Sequence, residues 1–144
     1  MNYKHTQIGY LMIFIFAIIT LLFGSIFILS NFDKILPPMF ILILLIIASF
    51  STLSVFIDNN YLRIRFSYGI FRKKFLLSEI VSAKIVKNHW YYGWGIRLWF
   101  RPYMWIFNVS GFDAVEIILK NKKIYRIGTD EPKKLEQAIQ QSII

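Results

Sequence analysis

The sequence contains no cysteine, which excludes disulfide staples and thiolate-ligated zinc or iron–sulfur sites and leaves the fold to stand on packing alone. Histidine is nearly absent. His5 and His89 are the only two, and neither has a second ligand at metal spacing, so no metal centre, catalytic residue or cofactor is implied. Gly93-Trp94-Gly95 lacks the third glycine and the following helix of a dinucleotide site and reads as backbone bends beside bulky rings. Asp113 and Glu116, three apart on a strand, fall on opposite faces; salt bridges within the sheet are their expected fate, not acid–base chemistry. Acids are scarce, 8 against 17 basic residues, giving a net charge of +9. Such a surplus suits an anionic partner: phospholipid headgroups, nucleic acid or an acidic protein.

What abounds is apolar. Hydrophobic residues make up 56% of the chain and aromatics 18%, against the roughly 45–50% apolar content of a soluble domain. Residues 8–29 carry no charge, enough for the roughly 20 apolar residues with which a helix crosses a bilayer. A signal peptide is the competing reading, but the run exceeds a signal core and ends in Phe27-Ile28-Leu29-Ser30-Asn31-Phe32 without a small-residue cleavage site. A second uncharged stretch, residues 35–57, opens with Pro37-Pro38, which fit the first turn of a helix. The expectation is a transmembrane hairpin with helices at about 8–29 and 38–57, joined by Ser30-Asn31-Phe32-Asp33-Lys34. Thr20 with Gly24, and Ala48 with Thr52, offer small-residue faces for helix approach. Only Lys34 lies in the hairpin loop, whereas Arg63, Arg65, Arg72, Lys73 and Lys74 follow the second stretch. By the positive-inside rule this predicts a multi-pass protein of the cell membrane with both termini cytoplasmic.

After Asp58 the pattern alternates, as in half-buried strands. Segments 62–67, 71–77, 80–87, 96–101, 105–109, 114–120 and 123–127 give seven strand candidates, the last two joined by Asn121-Lys122, where Asn tolerates a tight turn. The chain closes with a helix. Thr129 or Asp130 caps it, Pro132 suits its first turn, and Leu135, Ala138, Ile139 and Ile143 form one apolar stripe. Residues 1–57 thus divide from a domain at 58–144, of α+β class, with a seven-stranded curved sheet or partly closed barrel capped by the terminal helix.

Three segments carry a resemblance: Trp90-Tyr91-Tyr92-Gly93-Trp94-Gly95-Ile96-Arg97, Asn108-Val109-Ser110-Gly111-Phe112-Asp113-Ala114-Val115-Glu116 and Ile127-Gly128-Thr129-Asp130-Glu131-Pro132. Together with the upstream apolar stretches they resemble small bacterial membrane proteins with a pleckstrin-homology-like (PH-like) domain. The resemblance implies a PH-type barrel of seven strands with a C-terminal helix, and no catalytic residues.

Two features are open to a functional reading. Arg63 and Arg65 share one face of the first strand after the helices, and Arg72 and Lys74 one face of the next, so a hairpin brings four cations together. Trp90 and Trp94 belong to an aromatic region of the kind found at membrane interfaces. Arg63, Arg65, Arg72, Lys74, Trp90 and Trp94 are therefore the candidate contacts for lipid or a partner. The expected role is a non-catalytic, membrane-anchored PH-like module that binds anionic lipid headgroups or docks another membrane protein, as an accessory subunit of a membrane complex. The alternative is a small membrane-bound enzyme with its site near His89, Arg97 and Asp113. Nucleic acid is not an expected partner, since anchoring and interfacial aromatics point to lipid or protein.

Overall fold

The computed structural model describes residues 2–144. Strand β1 (Tyr3–Ile8) precedes the first apolar stretch, which forms helix α1 (Tyr10–Leu29); α2 (Leu36–Ala48) returns and leads into β2 (Thr52–Ile57). β1 and β2 pair antiparallel from Tyr3–Ile57 to Ile8–Thr52. The Gly9 N–H donates to the Ser51 carbonyl at 2.7 Å, so the chain leaves and re-enters the sheet at one point. The helical pair is an insertion into a strand hairpin.

Strands β3 (Tyr61–Phe66) and β4 (Arg72–Leu76) complete a four-stranded antiparallel sheet in the order β1-β2-β3-β4. The second sheet holds β5 (Ile80–Lys87), β6 (Gly95–Phe100), β7 (Tyr103–Asn108), β8 (Asp113–Leu119) and β9 (Ile124–Gly128) in the order β5-β8-β9-β7-β6, with β7 and β9 parallel. Alternation fixes the inner faces. Leu53, Val55, Ile57, Leu62, Ile64 and Phe66 of the first sheet meet Phe107, Val115, Ile117, Tyr125 and Ile127 of the second in one core. The amphipathic helix α3 (Pro132–Ile143) adds Leu135, Ala138 and Ile139 to it. Each fully buried side chain of this size stabilises by about 1.5–3 kcal/mol, so the core links both sheets into one cooperative body.

This corrects the expected two-helix transmembrane hairpin followed by an α+β PH-like domain built on a single seven-stranded sheet. The described residues form three α-helices, of which only α1 is long and apolar enough to cross a membrane, and two sheets of four and five strands. Multi-pass crossing is therefore not supported. The second apolar stretch divides because Ser49, Ser51, Thr52 and Ser54 interrupt it. From Thr52 onward Leu53, Val55 and Ile57 turn inward at strand period, while Phe56 faces out. At 1.5 Å per residue α2 is about 20 Å long, short of the 30 Å hydrocarbon core. The small-residue faces do not form the helix contact either. Phe23 and Phe40 stack at 4.6 Å, a Cβ at Gly24 would meet open space, and Thr52 lies outside the helix.

Candidate functional site

The outer face of the first sheet is built by register. One row across it reads Lys4, Phe56, Arg63, Lys74; the next reads Thr6, Ser54, Arg65, Arg72. All five cations are exposed; the alternate residues Leu62, Ile64 and Phe66 of β3 and Phe75 of β4 occupy the buried face, as Leu53, Val55 and Ile57 do in β2. A broad groove of ≈ 870 Å³ runs along this surface, lined by Lys4, Phe56, Arg63, Arg65, Arg72 and Lys74.

The two rows differ electrostatically. In the first, Asp58 Oδ2 lies 2.8 Å from the Arg63 guanidinium. The backbone N–H groups of Asn60 and Tyr61 donate to the same carboxylate, and these bonds, with the Arg63 and Lys74 charges, hold Asp58 below the usual carboxylate range. Lys74 Nζ sits 4.1 Å from the Tyr61 ring centroid and Arg63 stands 5.5 Å from the same ring. Phe56 is flanked by Lys4 at 5.6 Å and Arg65 at 5.5 Å. In the second row Arg65 and Arg72 are cross-strand neighbours, and among the described residues neither has a carboxylate within ion-pair distance. Like charges directly opposite one another are unfavourable unless an anion joins them.

The helical insertion sets the level of each row. It emerges beside the Ile8–Thr52 pair. With a rise of about 3.3 Å per residue, the Arg65–Arg72 row lies about 7 Å from that point and the Arg63–Lys74 row about 13 Å. Headgroups occupy roughly 5–7 Å on either side of the hydrocarbon core. The unneutralised pair thus stands where phosphates would lie if the helices enter a bilayer.

The other expected contacts sit elsewhere. Trp90 is exposed in a 3-10 turn, Trp90–Tyr92, over the outer face of the second sheet. Trp94 is half-buried; its Nε1–H donates to the Gly111 carbonyl at 3.2 Å and its ring lies 6.1 Å from Phe112. Neither joins the basic face. Lys4, Phe56 and Tyr61 do, and sequence reading missed them; for Phe56 the available signal was the alternation of Thr52, Ser54 and Phe56 with Leu53, Val55 and Ile57, and Tyr61 keeps the period of Arg63 and Arg65.

His89, Arg97 and Asp113, the residues of the alternative site, each have a partner of their own. His89 stacks on Tyr91 at 4.9 Å, the Arg97 Nε–H donates to the Trp94 carbonyl, and Asp113 faces Lys87 at 3.9 Å. No group of three potential metal ligands occurs among the described residues. Glu116 is buried in the second sheet between Arg126 at 2.9 Å and Lys84 at 3.5 Å, an internal ion-pair row. Comparison with protein-family models, curated proteins and solved structures finds no match to this chain.

Proposed function

We propose that the protein is a non-catalytic, membrane-embedded module whose basic sheet face receives anionic lipid headgroups. The observation that carries this reading is the Arg65–Arg72 pair, opposed without a carboxylate and one headgroup depth from the base of an apolar helical pair. Both helices support the embedding. No residue of α1 or α2 is buried against the protein, and helices apolar all round and uncovered by protein belong in lipid. A 13-residue apolar helix such as α2 suits a core or a re-entrant segment, and its lack of protein cover favours the second. The pair enters from one face and returns to it, because β1 and β2 are hydrogen-bonded at both its ends. The cations beside that face make it the cytoplasmic one. Kinship with small bacterial PH-like membrane proteins remains part of the proposal as kinship alone, without the architecture first attached to it.

The test uses the full-length protein in nanodiscs of mixed neutral and anionic phospholipid, with lipids retained after affinity purification measured by mass spectrometry. Enrichment of anionic lipid is expected, and it should fall with added salt. Each cation near an anionic surface contributes about 1 kcal/mol, and the contribution decays over about 8–10 Å. Arg65→Gln with Arg72→Gln should therefore reduce enrichment more than Arg63→Gln with Lys74→Gln. Equal lipid composition in the parent and both variants would overturn the headgroup reading and leave docking of an acidic protein surface as the role of this face.

A further inference from the structure

The turn between β3 and β4 lies beyond the last paired residues of the first sheet, at the end from which the helices leave. Phe66 pairs with Leu53, and the next residue, Ser67, is tied to the base of the insertion. Its N–H donates to the Thr52 carbonyl at 3.1 Å and its hydroxyl bonds the Ser51 hydroxyl at 2.9 Å. Phe71 stacks at 5.0 Å on Phe50, two residues after the end of α2. The turn therefore runs alongside the foot of α2 and projects in the same direction as the helices.

A solvated turn in that position would be polar. This one reads Tyr68-Gly69-Ile70-Phe71, with Tyr68 63%, Ile70 68% and Phe71 39% exposed. Gly69 has a φ of 81°, a conformation that favours glycine, and a Cβ there would press on the Arg65 side chain at 3.0 Å. The Arg65 stem thus packs against the turn, while its guanidinium lies on the basic face with Arg72. An apolar tip with cations immediately behind it matches the layering of a bilayer surface, where aliphatic and aromatic groups enter below the level at which Arg meets phosphate.

We infer that the Tyr68–Phe71 turn is a second membrane contact, a tip that inserts into the interfacial layer beside α2 and fixes the rotation of the two-sheet body about its helical stem. The inference rests on the embedding proposed above. One stem leaves the body free to swivel; a second contact to one side of it holds the Arg65–Arg72 pair against the headgroups.

The absence of native cysteine allows single-site labelling of the full-length protein. Leu21→Cys in the stem, Tyr68→Cys and Ile70→Cys in the turn, and Phe100→Cys at the C-terminal end of β6 each carry an environment-sensitive fluorophore in phosphatidylcholine/phosphatidylglycerol nanodiscs. All four native side chains are exposed in the protein, so labelling spares the core. The turn labels should emit to the blue of the Phe100 label, be quenched by phospholipid with a nitroxide high on its acyl chain, and resist aqueous iodide. The Leu21 label reports the stem. If it is quenched from the lipid while both turn labels behave like Phe100, the inserting tip is overturned and the embedding stands. If the lipid quenches none of them, both are overturned.

Discussion

At the scale of single residues, buried charge and close approach decide what can change. Glu116 and Arg126 face each other across β8 and β9, with the Arg126 guanidinium also 3.3 Å from Asn88 Oδ1. Truncation to Arg126→Ala leaves the Glu116 carboxylate buried with Lys84 as its remaining partner, and a cost of about 3 kcal/mol is expected in denaturant unfolding. Glu116→Leu with Arg126→Leu should cost far less, since desolvation offsets most of the attraction within a buried pair. Tyr3 is a second sensitive position. Burial, followed by the nearby charges of Glu131 and Asp130, pushes its phenol up to about 12 from 10.0. The folded state thus favours the neutral phenol. Its contribution is complete below pH 10 and is lost as pH rises through about 12. Thermal unfolding followed from pH 9 to 12 should show a decline in melting temperature that is smaller in Tyr3→Phe; identical pH profiles would refute this linkage.

At the scale of elements, the principal surprise is where one apolar run ends and another pattern begins. The α1 stretch was legible from its hydropathy, since none of its residues is buried in a core whose contacts could override it. α3 was equally legible, since Leu135, Ala138 and Ile139 fall on one stripe and meet the core. Leu135→Ala, at a fully buried site, is expected to cost about 2–5 kcal/mol by chemical denaturation. The helix-or-strand choice over residues 49–57 was harder, because Leu53, Val55, Phe56 and Ile57 suit either in a window of mean composition. The polar alternation at Thr52 and Ser54 decides for a strand only once a partner is present. That partner, β1, reads Tyr3-Lys4-His5-Thr6-Gln7-Ile8 and is too polar to announce itself. Its place is fixed by long-range contacts, among them His5 to Asp130 at 2.5 Å and Gln7 to the Ser110 carbonyl at 3.1 Å. Turn chemistry shows the same limit. The positive φ of the β8–β9 turn falls on Lys122, at 66°, while Asn121 instead accepts the Lys123 N–H through its side chain. The four arginines and lysines of the basic face were readable from period two alone; their register, and the addition of Lys4, needed the sheet.

At the scale of the whole molecule, the helical pair and the two-sheet body are separable in a way that no cut at a single point achieves. The apparent boundary at Asp58 follows the apolar run, but β1 and β2 lie before it and form half of the first sheet. A chain of residues 58–144 would uncover Leu62, Ile64 and Phe66 along an unpaired β3 edge, with the loss of Leu53, Val55 and Ile57 from the core. Exposed edges of this kind associate. The pairing of Ile8 with Thr52 and the Gly9–Ser51 hydrogen bond leave the two ends of the insertion as close as the ends of a strand hairpin. Replacing residues 10–50 by Asn-Gly would close β1 and β2 with a two-residue turn of the type that matches strand twist. This chain is expected to be soluble and monomeric by size-exclusion chromatography, β-rich by circular dichroism, and to unfold in one cooperative transition. Residues 58–144 alone should aggregate or unfold without cooperativity. Equal cooperative unfolding by both would show that β1 and β2 are dispensable and that the body begins after the second apolar stretch. Aggregation of both would show that the helices contribute to the stability of the two-sheet body itself.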